Sequence, residues 1–323
     1  MNLLKRLSVG LAAACLIVQA AAAPTAVVPV GRAVGIELET EGVLVTGFSS
    51  EFHDHICGEI RVGDRITTVN GAEIHSVCQL RQALETSPSP LILGIVRGEC
   101  AGEFVVEPTQ QTTKLGLQVR DGLRGIGTIT YYDPETGYYG ALGHGITQDG
   151  ALLPVRNGQL VEASITGLRK GKAGSPGELH GSQSGTEKIG TVVCNCSSGI
   201  FGKLTAAPLA EDTKLYPIAS QSEITEGQAV ILANVEGELV CAYDVQIVRI
   251  DAAAEDGKSL LLRVTDQALL EKTGGIVQGM SGSPILQNGK LVGAVTHVLV
   301  NEPTYGYGIL AEQMLKSAEN AGF

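Results

Sequence analysis

Along residues 35–48, "GIELETEGVLVTGF", apolar and polar positions alternate with a period of two, the pattern of strands with one buried face. Glu41-Gly42 marks a turn joining two such strands. The alternation returns in "RITTVNG", which closes on an Asn-Gly pair suited to a tight hairpin, and in "LILGIVRG". Between these two the period changes: Ser76 can cap a short helix that puts Val77, Leu80, Ala83 and Leu84 on one face. Beyond the polar stretch "VEPTQQTTK" the chain is strand-like and turn-rich. It runs through "GIGTITYYDPETGYYGALGHGI", "AVILANV", "YDVQIVRID", "LLLRVTD" and "LVGAVTHVLV", with "EDGKS" and "QNGK" as hairpin turns. The clearest helix of this half is the C-terminal "LAEQMLKSAENAGF". Many short strands at close spacing predict a barrel or sandwich.

Length and composition narrow the class. A chain of 323 residues, 44% hydrophobic, suffices for about two domains. A net charge of −11 without any Lys/Arg-rich block excludes a nucleic-acid-binding face. At the N-terminus, Lys5 and Arg6 precede the apolar run Leu7 to Ala23, which ends in small residues. That is the form of a secretory signal. Its 17 residues sit at the lower edge of a bilayer span, so an uncleaved anchor in contact with a membrane stays open. Either way the rest of the chain is expected outside the cytoplasm. Six cysteines follow Cys15: Cys57, Cys78, Cys100, Cys194, Cys196 and Cys241. Their spacing matches no disulfide framework or four-ligand zinc site, and reduced, buried thiols are the expectation. No metal or cofactor is called for.

The layout that follows is a signal or anchor over 1–23, a linker over 24–33, a first domain over 34–105, a connector over 106–114 and a second domain over 115–323. In the first domain, "IRVGDRITTVNGAEI" and the helix after it resemble a PDZ domain. The resemblance implies capture of a peptide or C-terminus as an added strand, with the carboxylate-receiving loop near Val34, Gly35 and Ile36.

The second domain carries "GGIVQGMSGSPIL", Gly274 to Leu286, with glycines crowded around two serines before an apolar run. A nucleophilic serine needs a base, an orienter for that base and donors for the oxyanion. In "GMSGSP" the amides of Gly279 and Ser281 can converge on one point, as in the trypsin-like Gly-Asp-Ser-Gly-Gly-Pro signature, and Ser281 is the candidate nucleophile ahead of Ser283. Among six histidines, His144 in "YGALGHGI" stands at a strand end between glycines and is the candidate base. His297 lies on the strand after the serine motif, where it can face substrate, and is left outside the catalytic set. Asp266, at the end of "LLLRVTD" and fifteen residues before Ser281, is the candidate orienter. Asp133, Asp149, Asp244 and Asp251 compete with it, and Asp266 can also cap the short helix "DQALLEK". A strand after the serine, and a histidine before it, exclude the nucleophile elbow of an α/β-hydrolase.

The block "TGGIVQGMSGSPILQNGKLVGAVTHVLVNEPTYGYGI", with "YGALGHGI", "IGTITYYDPETGYYG" and the upstream PDZ-like segment, resembles the stage IV sporulation protein B peptidases of endospore-forming bacteria. The resemblance implies a mainly β chain with a chymotrypsin-like double β-barrel behind a PDZ domain. It implies His144, Asp266 and Ser281 as the triad. It further implies a signalling serine endopeptidase, secreted from the forespore into the space between the two cell membranes. The protein substrate there is a membrane-anchored regulator of an intramembrane protease, whose cleavage leads to activation of a mother-cell sigma factor. The competing reading is a PDZ-containing scaffold whose barrel has lost activity.

Overall fold

The computed structural model describes residues 24–49, 60–86, 90–98, 100–106, 115–148, 150–205, 213–251, 253–254 and 257–322. The leader, Cys57 and Asp149 lie outside them. Among the described residues no helix is long and apolar enough to cross a membrane.

The chain enters through β1 (Ala26–Pro29) and the long β2 (Ala33–Phe48). It then builds β3 (Arg65–Val69), β4 (Ala72–Glu73), α1 (Val77–Thr86), β5 (Leu91–Arg97) and β6 (Cys100–Val106). These elements surround their own core, in which Val43, Val45, Ile66, Leu80, Leu93 and Ile95 are buried. The Asn70-Gly71 pair turns β3 into β4 with positive φ at both residues (49° and 80°), as expected of this dipeptide. Ser76 caps α1, its hydroxyl accepting from the amide of Gln79 at 3.1 Å.

Next come β7 (Leu117–Tyr132), β8 (Tyr138–Ala141), β9 (Thr147–Gln148), β10 (Ala151–Leu152), β11 (Val155–Arg169), β12 (Glu178–Cys196) and β13 (Gly199–Leu204). Neighbours run β7-β8-β13-β12-β11-β2, and direct pairing of β2 with β7 closes them into a six-stranded barrel. After β14 (Tyr216–Pro217), a second closed barrel of six strands follows. It is built from β15 (Gly227–Glu236), β16 (Leu239–Ile250), β17 (Leu260–Val264), β18 (Pro284–Gln287), β19 (Lys290–Val298) and β20 (Tyr305–Leu310), with α2 (Gln267–Thr273) inserted before β18. Alternate residues point inward: Tyr243, Val245 and Ile247 of β16 are buried with Leu260, Leu262 and Val264 of β17. The terminal α3 (Ala311–Asn320) packs Met314 and Leu315 against Val27, Tyr131 and Phe201 of the first half and Leu291, Ala294 and Ile309 of the second. The architecture is mainly β with two closed barrels, as the sequence pattern predicts.

Three expectations are corrected. Glu41-Gly42 is not a hairpin turn: Gly42 takes φ 78° inside the continuous β2, where the register with β7 slips between Glu39 and Leu44. The strand thus leaves the barrel core through Ile36 and Leu38 and enters the smaller core through Val43 and Val45. Residues 24–33 are not a linker, because Val27, Val28 and Val30 are buried and β1 pairs with both β7 and β14. Val34, Gly35 and Ile36 form no carboxylate-receiving loop. They sit mid-strand in the barrel, between Gly127, Ile126 and Gly125 of β7 and Glu162, Val161 and Leu160 of β11, so both edges of the strand are occupied. The unit with its own small core therefore starts near Val43, inside the first barrel's chain.

Candidate active site

A cleft of about 760 Å³ takes its lining from both barrels: Leu142, His144 and Ile146 from the first, Ser281, Thr296 and His297 from the second. No Asp or Glu is among the described residues that line it, although the chain carries 34 acidic residues.

His144 follows a sharp turn after β8. Leu142 and Gly143 both take positive φ (68° and 69°), and a buried leucine held in that region is the kind of strain that gathers at functional sites. The turn is secured by the Leu142 amide, which donates to Thr128 at 3.1 Å. The Nδ1 of His144 lies 3.0 Å from the carbonyl oxygen of Gly145. A carbonyl only accepts, so Nδ1 carries the proton and Nε2 keeps its lone pair. Burial pushes the imidazole pKa below its ordinary 6.5, and the Gly145 carbonyl opposes this to a lesser degree. The His297 ring sits 4.8 Å from that of His144, centroid to centroid.

The serine loop is held from the opposite barrel. Thr128 of β7 donates its hydroxyl to the Gly279 carbonyl at 2.8 Å and its amide to the Ser281 carbonyl at 3.2 Å. The amides of Gln278, Met280, Gly282 and Ser283 are all committed, to Gly177, Val277, Val295 and Met280 respectively. Among the described residues those of Gly279 and Ser281 have no acceptor. With their carbonyls pinned by Thr128, the two free N–H groups flank the serine and are available to a substrate oxygen. Glycine is required at 282, where φ is 98° and a Cβ would come within 2.1 Å of the Thr128 oxygen. The glycine-rich stretch thus lets one barrel's backbone press against the other's.

Ser281 donates its hydroxyl to the carbonyl of Thr296 at 2.6 Å, and a rotation about its Cα–Cβ bond turns it toward the open cleft. Ser283 is fully buried, and among the described residues its hydroxyl has no partner.

The structure brings His144, Gly279 and Ser281 to one cleft and leaves Asp266 out of it. Asp266 is the N-cap of α2: its carboxylate accepts from the Leu269 amide at 2.8 Å and from the Asp244 amide at 3.4 Å. The expectation that it orients His144 is not met in this arrangement: one oxygen serves the helix that follows, the other faces the Asp244 amide of β16, and Asp266 does not line the cleft. Nor do the described competitors line the cleft, Asp149 lying outside the described residues. Asp133 caps a turn through the Glu135 amide (2.9 Å) and the Thr136 hydroxyl (2.6 Å), while Asp244 and Asp251 are exposed.

Sequence reasoning passed over Thr128 and Asn195. The Asn195 side chain accepts from the Ile146 amide and donates to the carbonyls of Ile146 and Leu153, each at 2.8 Å, tying down the segment after His144. "CNC" was legible only for its thiols. Cys78, Cys100, Cys194, Cys196 and Cys241 are free, with Cys78 and Cys100 exposed and not buried as expected. Burial and the neighbouring Cys196 push the Cys194 thiol up. Among the described residues no three His, Cys, Asp or Glu gather as metal ligands would.

Comparison with known proteins decides the class. The SpoIVB peptidase S55 profile matches residues 111–315, which include both His144 and Ser281. The chain belongs to the SpoIVB peptidase S55 family. It is a serine peptidase of that family, and β2, which closes the first barrel, lies ahead of the matched region. No curated protein matches it. Among solved structures it is similar to the active form of the Rv3671c protease from M. tuberculosis, at 15% identity and a TM-score of 0.36, covering 64% of this chain and 74% of that one. A thermostable serine protease, AL20, from an extremophilic microorganism stands at 13% identity and 0.36, with 61% and 91% covered.

Proposed function

We propose that Ser281 is the nucleophile of this S55 peptidase, His144 its general base, and the Gly279 and Ser281 amides its oxyanion hole. The observation that carries this reading is the alternation along residues 278–283, where two amides are free and four are committed. The Ser281 hydroxyl rotates away from Thr296 and gives its proton to Nε2 of His144 as its oxygen attacks the scissile carbonyl. Charge developing on that carbonyl oxygen is met by the two amides, each worth roughly 3 to 4 kcal/mol in such a setting. His144 then protonates the leaving amine, and water releases the acyl group by the same route in reverse.

The substrate is an extended protein segment, apolar near the cut. Ile276, Val277, Val298 and Val300 support that choice, and no carboxylate that would select lysine or arginine is among the described lining residues. The unit over residues 43–106 acts as a PDZ-type module that captures a peptide or C-terminus and delivers substrate, without a part in bond breaking. Family membership supports the wider role. The chain is exported into the space between forespore and mother cell, by signal or anchor, and there cleaves a membrane-anchored regulator of an intramembrane protease. In an endospore former carrying Ser281→Ala as its sole copy, the mother-cell sigma factor should stay unprocessed. Processing at the normal rate would remove the signalling role and leave the peptidase.

A further inference from the structure

We propose that Asn195 is the positioning residue of His144, acting through the peptide group between Gly145 and Ile146; this rests on the reading that His144 is the base. The C=O of that peptide accepts from Nδ1 of His144 at 3.0 Å. Its N–H, on Ile146, donates to Oδ1 of Asn195 at 2.8 Å. A peptide group is planar, so fixing the direction of its N–H fixes that of its C=O. Asn195 is itself locked, since its Nδ2 donates to the Ile146 and Leu153 carbonyls, both at 2.8 Å. Those two partners only accept and the Ile146 amide only donates, which leaves one orientation of the side-chain amide. Its backbone is equally fixed on β12, opposite Ile200 of β13.

The path from barrel strand to imidazole is thus Asn195, one peptide plane, His144. It occupies the nitrogen to which serine peptidases ordinarily present a carboxylate, in a cleft whose described lining holds none. The device fixes the productive tautomer without a charge. It also explains the glycine at 145, where a Cβ would come within 2.5 Å of the Cys196 carbonyl.

The test uses the full chain and a valine diphenyl phosphonate, whose rate of reaction with Ser281 is followed against pH for wild type, Asn195→Ala and Asn195→Asp. Among the described residues, the titratable or charged groups that share the cleft with His144 are His297, 4.8 Å away, and Arg124, itself paired with Glu37, and all are unchanged in the three proteins. Asn195→Ala should fold and react about 100-fold more slowly, the scale of a misplaced catalytic group. Asn195→Asp keeps the acceptor for the Ile146 amide. It should react within about tenfold of wild type, with its acid limb moved to higher pH by the new negative charge. A residue that only stabilised the fold would leave folded Asn195→Ala reacting at the wild-type rate. Folded Asn195→Ala reacting at the wild-type rate, or an unmoved limb in Asn195→Asp, overturns the proposal, and the second variant decides if the first does not fold. Wild type that fails to label at Ser281 refutes the active-site reading instead, so the two failures are distinguishable.

Discussion

Ser281 donates its hydroxyl proton to the main-chain carbonyl of Thr296 at 2.6 Å, so the proposed nucleophile rests against the strand wall of its own barrel and not against His144. That single bond is a small share of the fold's stability, about 1 kcal/mol. Ser281→Ala should therefore melt within a few degrees of wild type. Two residues on, Ser283 buries a hydroxyl that has no partner among the described residues, and Ser283→Ala should be neutral or stabilising and stay active. An inactive but folded Ser283→Ala would exchange the roles of the two serines.

The pH profile follows from the environment of His144. Burial lowers its pKa below 6.5, so the ring stays neutral, and competent as a base, into more acidic solution. The acid limb of kcat/KM should fall below pH 6.5 and be absent from His144→Ala, which lacks the base. An acid limb above that value would mean that an unseen negative charge faces the ring in the working enzyme.

Asp266 separates two roles by magnitude. As the cap of α2 it is worth about 1 kcal/mol, and Asn caps nearly as well as Asp. Asp266→Asn should then turn over within about tenfold of wild type, while Asp266→Ala loses stability. A drop near four orders of magnitude in folded Asp266→Asn is what loss of an orienting carboxylate produces. That outcome would require a rearrangement of α2 before catalysis.

How far these features were legible depends on the range over which each is encoded. The Asn70-Gly71 and Asn288-Gly289 turns, the Ser76 cap and the inward alternation of β16 are written in neighbouring residues, and the pattern read them correctly. Gly42 was misread because a positive-φ glycine in a bulge and one in a hairpin have the same local signature; only its distant partner, β7, tells them apart. The Ser281 motif was legible because its glycines, backbone donors and hydroxyl fall within a few residues. The setting of His144 was not, since it depends on Thr128 and Asn195, which lie on other strands, and asparagine on a strand has no distinctive pattern.

The path of β2 redraws the boundary at which the PDZ-like unit can be removed. Glu39 pairs with Gly122, so the two strands are already in hairpin register where the unit departs. Replacing residues 41–120 by Asn-Gly should leave a folded double barrel that cuts short peptides and loses selectivity among proteins. Deleting residues 34–105 removes the buried Val34, Ile36 and Leu38 and should abolish folding. If the hairpin-closed variant folds but no longer cuts short peptides, the unit is part of the active architecture.

Modification by the valine diphenyl phosphonate, with the adduct mapped by mass spectrometry, tests the central assignment most directly. One phosphonyl group should appear on Ser281 of wild type, none should form in Ser281→Ala, and His144→Ala should react at a small fraction of the wild-type rate. An adduct on Ser283, or undiminished labelling of folded Ser281→Ala, would contradict the account.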